Sequence, residues 1–153
     1  MFTHPLTQGT LLLVMIATLY NAPALARPDP LQTAVLVEAL RMAAPHTNDP
    51  ALYSDWKMRT EAIARWTRRC IGTEVPPAEF AGNPVMVRET VACVIGPVLE
   101  EQMTLTGGDE GLAVRRATAW WMVGDPDQHQ NTGGINTYVG RVLGYYWGLR
   151  TRR

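Results

Sequence analysis

The chain has 153 residues, and its 14 basic and 14 acidic side chains cancel to a formal net charge of zero. A neutral chain has no bulk attraction for nucleic acid or for an anionic membrane surface, so proteins that work by that attraction are excluded. Hydrophobic residues make up 46% of the sequence and include five Trp, enough material for a real core.

The first segment reads as an export signal. Leu11 to Leu19 form a compact apolar run that Asn21 and Pro23 break, and Ala24-Leu25-Ala26 offers a small-x-small cleavage site before Arg27. The run is shorter than the ~20 residues that span a bilayer, which favours cleavage over an uncleaved anchor. The segment before the run, Met1 to Gln8, carries no Lys or Arg, a departure from the usual signal pattern. The expected product is a single helical domain from Arg27 to Arg153 of about 127 residues, periplasmic or secreted, with no stable membrane insertion after cleavage.

Asp29-Pro30, Asp49-Pro50 and Asn83-Pro84 each put a side-chain acceptor before a proline, which predicts three helix starts. The first helix is expected from Pro30 to Ala44, ended by Pro45, with Leu31, Val35, Leu36, Leu40 and Met42 on a broad apolar face. The second is expected from Pro50 to Ile71, stopped by Gly72, with Leu52, Trp56, Ile63, Trp66 and Cys70 at helical spacing. Thr73 to Gly82, with Pro76 and Pro77, reads as a linker. A third helix from Pro84 buries Val87, Val91, Val94 and Ile95, and Gly96-Pro97 is expected to kink or break it.

Gly107-Gly108 makes a break. Asp109 to Val123 predicts a fourth helix with acidic residues at its positive end and Gly124 as its stop. A polar loop, Asp125 to Gly134, leads to a fifth helix over Ile135 to Leu149. No stretch alternates long enough to predict a strand. The fold class is therefore an all-α compact bundle of four or five helices. The chain's two cysteines, Cys70 and Cys93, are an even pair in an exported chain far from C-x-x-C spacing. They are expected to form one disulfide.

Candidate sites are faint. Gly140, Gly144 and Gly148 recur every fourth residue and predict a stripe for close packing inside the bundle, with self-association or partner contact as the alternative. Trp120-Trp121 and Tyr145-Tyr146-Trp147 are dense aromatic stretches in which one member must leave the core face. Trp121, Tyr145 and Trp147 are accordingly the candidate partner-binding residues.

Lys57, Arg65, Arg68 and Arg69 make the outer face of the second helix basic. Such a face is either matched within the molecule or steers an acidic partner. Asp125, Asp127 and His129 do not fit a calcium-loop pattern and read as a turn, and no metal or cofactor is expected. Ser54 is the only serine and lies in no nucleophile-elbow context. The expected function is non-catalytic binding of another macromolecule, an envelope protein in the first instance, as inhibitor, immunity factor or assembly accessory. The alternative is an envelope-polymer hydrolase drawing two carboxyls from Glu79, Glu89, Glu100, Glu101, Asp109 and Glu110. A small apolar ligand between the helices is a third, weaker fit.

Overall fold

Asp29 caps the first helix. Its carboxylate accepts the Gln32 amide at 2.7 Å, and the Gln32 side chain accepts the Asp29 amide at 2.9 Å, a reciprocal cap that launches α1, Pro30–Ala43. The computed structural model describes residues 29–152. The expected export signal, Met1–Ala26, and the cleavage point before Arg27 lie outside the described residues.

α1 is the central helix. Val35, Leu36, Val37, Ala39, Leu40 and Ala43 are all buried, so it is covered on most of its circumference. After α1 the chain departs from the sequence expectation. Asp49-Pro50 opens a turn, with the Asp49 carboxylate accepting the Ala51 amide at 2.9 Å. Such local side-chain bonds compete with helix formation. A two-stranded antiparallel hairpin follows, β1 (Leu52–Tyr53) and β2 (Met58–Arg59), with Leu52 opposite Arg59. Ser54 and Lys57 in its loop adopt positive φ, 62° and 55°, an uncommon conformation for residues with side chains. The Trp56 indole N–H donates to the Val37 carbonyl of α1 at 2.8 Å, which holds the loop in place.

The second long helix therefore starts ten residues later than expected: α2 is Thr60–Ile71, ended by Gly72 at φ 89°. The expected linker also holds structure. Pro77–Ala81 form the short helix α3, with Pro77 in its first turn and Phe80 fully buried. α4, Pro84–Leu105, passes through Gly96-Pro97 without ending there. α5 is Glu110–Val123, capped by Asp109 and ended by Gly124. Pro126–Gln130 make one 3₁₀ helix, and α6 runs unbroken over Gly134–Arg150. The fold is all-α with six helices among the described residues, and Cys70 and Cys93 are bonded, joining the end of α2 to the middle of α4. No helix among the described residues is long and apolar enough to cross a membrane.

α1 packs between α4 and α6, and α5 lies against both of those partners. At one end of the bundle, the buried Tyr146 hydroxyl donates to the Glu110 carboxylate, which Arg150 also engages at 3.0 Å. Desolvation pushes the Glu110 carboxyl up, but the hydrogen bonds from Tyr146, Arg150 and Gln32 outweigh it, and the net shift is below the ordinary value. A carboxyl held low stabilises the fold above its unfolded pKa and loses that contribution as pH falls through the folded value. The midpoint of thermal unfolding is thus expected to fall between about pH 5 and about pH 3, and Glu110→Gln to flatten that fall. An unchanged slope in Glu110→Gln would show that the cluster does not carry acid stability.

Candidate functional site: an aromatic cleft with a cationic rim

At the opposite end of α1 the hairpin, α2, α5 and α6 surround an open cleft of about 540 Å³. Each element contributes by its own spacing. The hairpin brings Trp56, Lys57, Met58 and Arg59. On α2, Ala62, Arg65 and Trp66 share the face that continues from Arg59. The last turn of α5 supplies Trp120, Trp121, Met122 and Val123, and α6 adds Tyr138 and Arg141 one turn apart.

Four of the chain's five Trp therefore meet in one place. Trp66 and Trp121 stack with ring centroids 5.0 Å apart and planes tilted by 35°. Trp56 is buried, and the Arg88 guanidinium lies over its ring at 5.7 Å. Burial pushes the Tyr138 phenol above its ordinary range, with Arg141 and a hydrogen bond from Trp121 opposing only in part, so the phenol stays neutral.

The charges around the cleft have one sign. Lys57, Arg59, Arg65 and Arg141 line it, and no Asp or Glu does. Elsewhere five arginines are paired, Arg41 and Arg88 with Glu38, Arg68 with Glu74, Arg116 with Asp127 and Arg150 with Glu110, while Arg69, Arg115 and Arg152 form no ion pair among the described residues. None of the four cleft cations forms an ion pair among the described residues. Arg65 instead lies 6.0 Å over Trp66, and Arg141 lies 5.8 Å over Tyr138 while donating to the Ala43 carbonyl at 3.2 Å. The basic face expected on the second helix is thus divided, with Arg68 matched internally and Lys57 and Arg65 turned to the cleft.

Compared with protein-family models, curated proteins and solved structures, the chain has no match. Its site must be read from its own residues.

Of the expected partner-binding residues, only Trp121 lines the cleft. Tyr145 and Trp147 are 38% and 39% exposed on α6, away from it, and Trp147 packs edge-on against Tyr146. The glycine stripe corrects the packing expectation. Gly140 and Gly144 are exposed, and a Cβ placed on Gly140, Gly144 or Gly148 would meet nothing within 4 Å. The stripe does not serve close packing within the bundle, because the neighbouring helices meet α6 through Tyr138, Val139, Val142 and Tyr146 instead.

The acidic residues do not assemble. Glu79, Glu89, Glu100 and Glu101 are exposed on α3 and α4, outside the cleft. Hydrogen bonding from Arg41, aided by Arg88 and opposed by desolvation, holds the Glu38 carboxyl low. A glycosidase acid needs the opposite shift. Asp125 caps the 3₁₀ helix, Asp127 pairs with Arg116 at 2.8 Å, and His129 turns inward with Nδ1 2.9 Å from the Pro126 carbonyl. No group of three metal-ligating side chains forms among the described residues.

Sequence reasoning missed Trp66, Trp120, Tyr138, Arg59 and Arg141 as site residues. A usable signal was present in Arg59, Ala62, Arg65 and Trp66, which repeat at helical spacing. Trp66 reads as core in the sequence because its steps also fit the apolar face.

Proposed function

We propose that the mature chain is an exported, non-catalytic protein that binds another macromolecule of the cell envelope, and that the aromatic cleft is its binding surface. One observation carries this reading: four Trp and four cations free of ion pairs converge on one open cleft that holds no carboxylate. Interface anchors are typically Trp, Tyr and Arg set in a concave, water-excluding surround. The cleft supplies these residue types and lacks the paired carboxyls that the rival envelope-polymer hydrolase needs. The signal-like N-terminal sequence and the disulfide support a periplasmic or secreted setting, in which an inhibitor, an immunity factor or an assembly accessory would act.

Affinity capture tests it. The oxidised chain from Arg27 is expected to retain one stoichiometric partner from an envelope extract of its source cells. Trp66→Ala/Trp121→Ala should weaken that capture about 30-fold or more, with helical circular dichroism preserved. Tyr145→Ala/Trp147→Ala should leave capture unchanged. Capture that survives loss of the cleft pair, or that disappears with Tyr145 and Trp147, would put the surface elsewhere.

A further inference from the structure

The cleft has a polarity of hydrogen bonding as well as of charge. Lys57, Arg59, Arg65 and Arg141 carry donors and no acceptors. The cleft is lined by no Asp, Glu, Asn, Gln, Ser, Thr or His side chain, and the one side-chain acceptor on it, the buried Tyr138 hydroxyl, is already engaged by Trp121. Trp nitrogens are donors too, and the one on Trp56 is already committed to Val37. The floor between the cations is apolar, built from Trp rings with Met58, Met122 and Val123. A ligand that satisfies such a wall must bring acceptors and negative charge at its edges and apolar bulk at its centre. Neutral saccharide hydroxyls, which need acceptors as well as donors, fit it poorly.

The backbone adds a reason to favour a polypeptide. β2 lines the cleft, and its second edge has no strand beside it among the described residues. An extended segment can add to such an edge through main-chain hydrogen bonds.

Resting on the reading of the cleft as the binding surface, we infer that its occupant is an acidic polypeptide segment. Its carboxylates meet Lys57, Arg59, Arg65 and Arg141, and an aromatic or aliphatic side chain sits on the Trp66–Trp121 stack.

Selection of random linear peptides displayed on phage against the oxidised chain from Arg27 tests this. Enriched sequences are expected to combine several Asp or Glu with one large apolar residue. The synthetic peptide from the leading clone, titrated by tryptophan fluorescence or calorimetry, should lose about tenfold in affinity in Arg59→Gln/Arg65→Gln. Both side chains are exposed and form no hydrogen bond or ion pair among the described residues, so the variant keeps its fold. Binding should also weaken as salt rises from about 50 to about 200 mM. Enriched peptides that lack acidic residues yet lose binding in Trp66→Ala/Trp121→Ala would overturn the acidic occupant and leave the cleft as the binding surface. Oligo(dT) or anionic lipid vesicles binding at the cleft while no acidic peptide does would overturn it in favour of another polyanion. Enrichment of nothing, together with failure to capture any envelope partner, would overturn both readings.

Discussion

Phe80→Ala is expected to cost about 4 kcal/mol of stability, a large share of the about 5–15 kcal/mol that holds a domain of this size. Phe80 is 0% exposed, on a helix of five residues. A helix that short does not persist in water on its own, so α3 exists because Phe80 is buried. α3 packs against α2, α4 and β1, and the Phe80 ring is the part of it that enters the core. Truncating the ring leaves a cavity and unties three elements from one another. The midpoint of thermal unfolding should drop by about 10–20 °C, and Phe80→Leu should recover most of it. A change below about 0.5 kcal/mol, the range of an ordinary surface substitution, would mean that Thr73 to Gly82 behaves as the simple linker its prolines suggest.

Removing the disulfide is the second large effect. Cys70→Ser/Cys93→Ser is expected to lose about 3 kcal/mol, the loop-closure cost of a bridge with a sequence separation of 23. The bridge matters because α2 is poorly anchored otherwise: Ile63 and Thr67 are its only buried residues. Thr67 assists by donating to the Ile63 carbonyl at 2.9 Å and accepting the Val75 amide at 3.1 Å. α2 also carries Arg65 and Trp66, so a loosened α2 loosens one wall of the cleft. Reductant should lower the unfolding midpoint of the native chain and leave that of the double variant unmoved. Equal midpoints with and without reductant, in a chain shown to be reduced, would contradict this. Cys93 is exposed, so reductant has access to the bridge.

Much of the fold was legible because its signals are local. Asp29-Pro30 and Asn83-Pro84 cap helices where expected, and Gly72 and Gly124 end them with φ of 89° and 77°. The disulfide is expected from two cysteines at a spacing far from C-x-x-C in a chain read as exported. The errors came where a local signal had two outcomes and a distant contact chose between them. Asp49-Pro50 can open a helix or a turn, and the Trp56 indole reaching Val37, nineteen residues back in the chain, accompanies the turn and hairpin. A ladder of two-residue strands leaves no alternation to detect. Thr73 to Gly82 looked like a linker because nothing in its neighbourhood predicts that Phe80 finds a pocket. The glycine stripe has a regular spacing, but spacing does not say which face of α6 meets the bundle. The cleft was the least legible feature: Trp66 and Trp121 lie far apart in sequence and meet only after α2 and α5 are placed. Of the cleft's aromatic residues the sequence marks only Trp121 as a partner contact, because adjacent tryptophans cannot both face the core, and of its cations only Lys57 and Arg65, as part of a basic face.

Site-specific photo-crosslinking in the source cells tests the central claim most directly. Met122 lines the cleft and is 46% exposed, whereas Val85 is 64% exposed at the start of α4, outside it. A photoreactive residue at position 122 should yield one discrete adduct with an envelope protein, and the same residue at position 85 should yield none. No adduct from position 122, or an equal adduct from position 85, would contradict the cleft as the surface through which this protein works.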